Sequence, residues 1–429
     1  MAKLLAEQAV GGTKPRAKTR PRGRRSGARL GTNGNSLTPP PSEGVARRGR
    51  RASRWLLKRA QRRLTESLSS RLCWLPTGAD ALVDVGRRLV AHVTGIRRCG
   101  SPWACPVCAP VVRERRAQQI DRGLSAHLAA GGGAVFVTLT LRHHRADELG
   151  PRLALVSEAL RHCLTGAAWK RRAARLEYVG VIRATEVTWS EANGWHPHLH
   201  AVLLLERPIG EGEADDLRVW LLGRWGGVCE RRGFGTLSAE HGVDVQVVRT
   251  APELAGYLTK VDGGWGAGHE LARGDVKTGR VHGLVPAELL AEFVETGEVR
   301  FARLWQEYER ATFGKQAIVW SAGLRRRLLG DEADESDEAL AASEGMEPEF
   351  VRYLVAKDDF WRVAKAGTVG ALLSQIEDAA EEYWRGLDEV EGAGGAVAVV
   401  RWTPGLPGEG TGGREAAQRT PTAGPLRGG

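Results

Sequence analysis

The 429-residue chain has no run near the roughly 20 consecutive apolar residues that a membrane span requires. Its Arg-rich first residues are not followed by an apolar stretch, so a secretory leader is excluded too, and a cytoplasmic protein without membrane contact is expected. Lysine is scarce, with 10 residues against 52 arginines. Cysteine is sparse as well, six in all, yet Cys73, Cys99, Cys105 and Cys108 crowd into the first quarter of the chain. In a reducing compartment such grouping points to a metal rather than to disulfides. No internal repeat is present.

The net charge of +11 is unevenly placed: residues 1–63 carry +16 and the rest carries −5. The arm holds Gly, Pro and Ser and few large apolar residues before Trp55, which predicts a disordered segment suited to non-specific phosphate contact. A solubilising tail shaped by the Arg-rich composition is the plainer account. The segment 64–115 holds the cysteines, and 116–330 alternates strand-like and helix-like patterns. Strands are expected at 134–142, 179–189, 198–205 and 243–249, and helices at 116–130, 151–176, 214–223, 251–261 and 286–313. An acidic linker at 331–347, a helical appendage at 348–391 and a disordered tail at 392–429 complete the expected organisation.

Trp195-His196-Pro197-His198-Leu199-His200 is the most informative stretch. Side chains alternate along a strand, so His198 and His200 share a face while Leu199 points to the opposite layer. Glu191-Ala192-Asn193-Gly194 reads as a hairpin turn, and a turn centred near residue 192 sets Glu186 opposite His198. Two imidazoles and a carboxylate then converge, a mixed donor set with open positions that suits Mg2+ or Mn2+ in phosphoryl transfer. His196 shares the parity but precedes Pro197, which ranks it as a support or substrate-facing residue. The plainer reading makes all of these ordinary polar residues of a surface hairpin.

Thr250-Ala251-Pro252-Glu253 has the pattern of a helix start, with Thr as cap, Pro in the first turn and Glu three residues on. Glu253, Tyr257 and Lys260 then share one face, beside a stripe of Leu254, Leu258 and Val261. A phenol with an ordinary pKa near about 10 attacks phosphorus only where a cation stabilises the developing charge, a role open to Lys260 and a metal. Taken alone, the helix reads first as an amphipathic packing element, with Glu253 a capping-box acid and Lys260 a solvated charge.

Cys105-Pro106-Val107-Cys108 is a metal knuckle, and with Cys73 and Cys99 it offers four thiolates for a tetrahedral Zn2+ site of structural type. His92 is an alternative to Cys73, and free buried cysteines are the reading without metal.

Together these residues resemble the HUH endonuclease superfamily, specifically the plasmid rolling-circle replication initiators with one catalytic tyrosine. Phe136-Val137-Thr138-Leu139-Thr140 looks like the family's first motif, His196-Pro197-His198-Leu199-His200 like its metal motif, and Tyr257-Leu258-Thr259-Lys260 like its tyrosine motif. The stretches 304–308 and 320–325 are similar to initiators of actinobacterial plasmids, and the resemblance covers about residues 95–330. It implies an α+β nuclease domain, a central antiparallel sheet flanked by helices. It implies that Tyr257 forms a 5′-phosphotyrosine at a single-stranded origin segment and frees a 3′-hydroxyl that primes synthesis. Glu253, one helical turn before the tyrosine, takes the place of the residue that activates water in the last step. DNA, a host helicase and a DNA polymerase are the implied partners. The competing readings are a non-enzymatic zinc-containing DNA-binding regulator and an HUH relaxase or transposase, although no helicase segment is recognisable.

Overall fold

The computed structural model describes residues 43–249, 283–330, 335–342, 347, 349–388 and 399–402. The tail segments 1–42 and 403–429 and the stretch 250–282 lie outside the described residues. The described strands, in chain order, are β1 (Ala81–Gly86), β2 (Ala91–Thr94), β3 (Gly133–Leu139), β4 (Tyr178–Ser190), β5 (Gly194–Leu205), β6 (Val243–Val247), β7 (Ile318–Trp320), β8 (Phe350–Val355) and β9 (Val399–Trp402). They form two sheets, a five-stranded antiparallel one in the order β6-β3-β5-β4-β7 and a four-stranded one in the order β2-β1-β8-β9. The fold is α+β, a central antiparallel sheet flanked by helices.

The larger sheet is covered on both faces because its strands are apolar on both parities. Val135, Val137 and Leu139 of β3 and Leu199, Ala201 and Leu203 of β5 face one way, against Leu217, Leu221 and Trp225 of helix α7 (Glu211–Arg231). Ala134 and Phe136 with Val202 and Leu204 face the other way, against Ile120 and Leu124 of helix α3 (Cys108–Ala129). Burying each such Leu or Val stabilises by roughly 1.5–3 kcal/mol. Beyond these rows the α3-facing side turns polar, with Thr138, Glu186, His198 and His200.

The hairpin β4–β5 has the expected register: Glu186 stands opposite His198, and Ser190 opposite Gly194. Gly194 has φ +72°, and a Cβ there would stand 2.9 Å from the Arg145 backbone, so the turn requires glycine. The helical stretch 151–176 is divided into Leu149–Ser157, Ala159–Cys163 and Gly166–Leu176, the last break falling at Gly166 with φ +80°. The stretch 286–313 is divided at Gly297, which ends Pro286–Thr296 in a left-handed cap before Val299–Thr312 begins.

The smaller sheet revises the expected organisation. Residues 43–63, read as part of a disordered arm, belong to helix α1 (Glu43–Leu64), because Trp55 and Ala60 bury against the body. Trp55 meets Trp74 edge to face at 4.7 Å, and Arg51 grips the buried Glu377 through both carboxylate oxygens at 2.7 and 2.8 Å. The segment 348–391 is not wholly helical: Phe350–Val355 alternates outward and inward residues and pairs antiparallel with β1. Asp84 on β1 and Arg352 on β8 close that pairing with bonds of 2.7 and 2.8 Å. Residues 399–402, expected within a disordered tail, add β9 in parallel to β8. In the acidic linker, Asp337–Ala342 is helical, with Leu340 and Ala341 buried and Asp337 held by Arg116 at 2.7 Å. The Cys-rich segment and the C-terminal appendage therefore share one core, in which Val83 and Val93 pack with Val351, Phe360, Leu372 and Trp384. Among the described residues no helix is long and apolar enough to cross a membrane.

Candidate active site and metal centres

On the larger sheet, strand alternation carries His198 and His200 to one face, and the register carries Glu186 beside them. Glu186 Oε2 lies 2.8 Å from His198 Nε2 and 2.9 Å from His200 Nε2. Cis ligands of a cation bound at about 2.1 Å stand about 3 Å apart, so the two carboxylate–imidazole spacings suit a shared metal ion. The ring planes cross at 85° with centroids 4.6 Å apart, and the three ligand atoms all lie within 4.8 Å of one another. Leu199 is fully buried in the opposite layer, as the alternation requires.

The neighbours hold these rings in place. Thr138 on β3 stands directly opposite His200, and its Oγ1 lies 3.1 Å from His200 Nδ1. Phe136 stacks on the His200 ring at 5.4 Å and 15°. His198 Nδ1 lies 3.3 Å from the His196 carbonyl. His196 itself stacks on His143 at 4.5 Å and 14°, which places it beside the ligand pair rather than in it. Burial, reinforced by the neighbouring imidazoles His198 and His143, pushes His196 down to about 4. Burial also lowers His200, against the opposing bond to Glu186.

The second group joins all four expected cysteines. Cys73 ends the short helix Leu68–Leu72, Cys99 follows β2, and Cys108 is the first residue of α3. Their sulfurs all lie within 4.8 Å of one another, with Cys73 Sγ 3.5 Å from Cys108 and 3.9 Å from Cys105. Tetrahedral zinc with Zn–S of about 2.3 Å sets sulfurs about 3.8 Å apart, so the tetrad fits. His92 is on β2 opposite Asp84 and is outside the group.

Reading the sequence missed Lys58. It is fully buried on α1, and its Nζ donates to Gln61 Oε1 at 2.8 Å, to Ser70 O at 2.9 Å and to Cys105 Sγ at 3.6 Å. Burial alone would lower its pKa, but the four cysteines outweigh burial and raise it. The signal was there: Lys58 is the only lysine in an Arg-rich helix. Tyr257, Glu253 and Lys260 lie outside the described residues.

The comparisons with known proteins agree with this geometry. Residues 91–209, which include the histidine strand, match the family described as Replication protein. A curated relative named Protein rep, from Streptomyces lividans, is 34% identical over 313 residues, covering 58% of this chain and 68% of the relative. The Neomycin resistance protein of Streptomyces cyanogenus is 36% identical over 153 residues, which cover 30% of this chain and 35% of that protein. No solved structure matches. With the carboxylate and paired imidazoles inside the matched segment and a Rep relative aligned over two thirds of its length, the chain belongs to the Rep family of replication proteins, the plasmid replication initiators.

Proposed function

We propose that this Rep protein is a metal-dependent nickase that opens one strand of its plasmid's double-strand origin and later rejoins it. The observation that carries the reading is a single carboxylate oxygen within 2.9 Å of two imidazole Nε2 atoms on one sheet face. His198, His200 and Glu186 would hold Mg2+ or Mn2+, which polarises a phosphate oxygen and orients the scissile bond.

Tyr257 is the nucleophile in this reading. Four of the five tyrosines are already engaged elsewhere: Tyr308 and Tyr353 are buried, Tyr178 packs on Trp169 and Tyr383 on Trp384. Burial also pushes Tyr178 up to about 12, which suits a packed phenol and not an attacking one. The flanking described residues fit as well, since Val248 bonds to Ala134 of β3 and Leu284 bridges to Trp189 of β4, both on the histidine sheet. The Tyr257 oxygen forms a bond to phosphorus while the bond to the 3′ oxygen breaks, leaving a 5′-phosphotyrosine and a 3′-hydroxyl. Lys260 offsets the developing negative charge, and Glu253 takes a proton from water when the covalent link is finally hydrolysed. The freed 3′-hydroxyl requires a host DNA polymerase, and strand displacement a host helicase, in the cytoplasm where the plasmid resides.

The four cysteines would hold Zn2+ in a closed structural site that ties the helix Leu68–Leu72, β2 and α3 together, with Lys58 of α1 offsetting part of its negative charge. The reading is tested by incubating the protein with supercoiled plasmid carrying its origin and Mn2+. Wild type should give relaxed circles with protein attached at the 5′ end, and Tyr257→Phe should bind the same DNA without nicking it. Nicking by Tyr257→Phe at the wild-type rate would overturn the proposal, and wild-type binding without nicking would favour a non-enzymatic regulator.

A further inference from the structure

An imidazole can bind a metal through Nε2 only if its proton sits on Nδ1, so whatever faces Nδ1 decides whether the ring is ready. The two histidines of the sheet differ in this respect. His198 Nδ1 faces a backbone carbonyl, that of His196 at 3.3 Å, and a carbonyl can only accept. That carbonyl favours a proton on His198 Nδ1, while Nε2, 2.8 Å from Glu186 Oε2, competes for the same proton when no cation is bound. His200 Nδ1 faces the Thr138 hydroxyl at 3.1 Å, and a hydroxyl can either donate or accept.

That difference separates the two ligands in function. With no cation bound, His200 can keep its proton on Nε2 and donate it to Glu186 Oε2 at 2.9 Å, while Thr138 donates to Nδ1. With a cation bound, Nε2 must present its lone pair, the ring proton must sit on Nδ1, and Thr138 must accept it. Only a side chain that reverses its role without moving serves both states. Thr138 is held for this on a central strand, paired with His200 on one side and with Asp244 of β6 on the other. Phe136, two residues earlier on the same face, stacks on the His200 ring and stops it from turning away.

We propose that Thr138 is the positioning residue of the sheet metal site: its hydroxyl sets the tautomer of His200 and so controls how tightly Mg2+ or Mn2+ is held. The proposal rests on the reading of Glu186, His198 and His200 as metal ligands, and gives the first-motif threonine a chemical role. It also makes the site asymmetric, with a fixed acceptor facing His198 Nδ1 and a reversible partner facing His200 Nδ1.

The test measures Mn2+ affinity of the full-length protein by titration calorimetry, with the cysteine site already loaded with zinc. Thr138→Val keeps the shape and removes the hydroxyl, and Thr138→Ser keeps the hydroxyl. Loss of a partner to a ligating histidine weakens metal binding by about 10–100-fold, which is the expectation for Thr138→Val, and Thr138→Ser should restore wild-type affinity. Thermal melting of both variants without Mn2+ should show a cooperative transition as in wild type, so that a change in affinity is read on folded protein. Wild-type affinity in Thr138→Val overturns the positioning role and leaves the metal site standing, as does a loss that serine fails to restore. Absence of Mn2+ binding by the wild-type protein, with His198→Ala indistinguishable from it, overturns the metal reading itself.

Discussion

The two ligand clusters of this molecule are built on opposite plans. The cysteine group gathers its members from a helix end, two loops and a helix start, and three of its four sulfur-bearing residues are buried. The sheet group takes three ligands from one hairpin, leaves Glu186 and His198 partly exposed, and supplies too few donors to close a shell. A tetrad of donors can close a coordination shell by itself, whereas a triad leaves positions for further donors. The difference teaches that the number of donors and the elements that carry them separate a structural centre from a reactive one, before any metal is identified.

The comparison breaks most sharply at Cys105. Binding of structural zinc is worth about 10–16 kcal/mol, comparable to the whole stability of a domain, so Cys105→Ser should lose the bound zinc and unfold the smaller-sheet lobe. Metal analysis together with limited proteolysis of 43–115 and 347–388 checks this, and a zinc-free variant with wild-type protection would remove the structural role. His198→Ala should do the reverse. A catalytic cation supplies several kcal/mol, so nicking should fall by roughly a thousandfold or more while the melting temperature stays near wild type. Plasmid relaxation rates and a thermal melt decide the matter, and a variant that melts early but still nicks would exchange the two assignments.

Lys58→Met probes how the closed site tolerates its charge. Removing one partner of a buried charged group costs about 3–5 kcal/mol, so urea unfolding should show a loss of that size, with faster zinc transfer to a chelator. An unchanged midpoint would show that the tetrad needs no counter-charge. The smallest effect concerns the seam between the two regions, where Glu309 of helix 299–312 accepts hydrogen bonds from Thr65 Oγ1 and from the Glu66 backbone N–H. Burial raises its carboxyl above the ordinary 4.5, against the opposing bonds from Thr65 and Glu66. A raised carboxyl stabilises the fold while protonated, and that contribution is lost as pH rises from 4.5 through the raised value. Glu309→Gln should therefore gain on wild type as pH climbs through that window, read as the difference between their melting temperatures. A difference that is flat with pH would dismiss the titration.

The convergence of Glu186, His198 and His200 was legible because it is local. A turn at 191–194 and strict alternation fix which residues of one hairpin share a face, and both are written in consecutive residues. The tetrad was legible by chemistry, since few other uses group four cysteines so closely. Thr138 could be named only as part of a motif, because its pairing with His200 depends on which strand docks beside β5, a choice no local pattern makes. The same limit hid β8. Its Phe350–Val355 alternation is plain in hindsight, yet its partner β1 lies some 260 positions earlier, and the acidic stretch before it pointed to a linker. Helix α1 was masked by its charge: its buried face depends on Trp55, Lys58 and Gln61, and two of these three are polar.

The long-range pairing of β1 with β8 also sets a timetable for synthesis. Residues 81–86 leave the ribosome with an unmatched edge, and their partner at 350–355 follows only on the order of tens of seconds later, at about 5–20 residues per second. Over that interval the first lobe relies on contacts within the emerged chain, among them the β1–β2 pairing and the four cysteines, which are complete once residue 108 has emerged. A chain that stopped short of residue 350 would carry both donor clusters and still lack the strand that pairs with β1 in the smaller sheet.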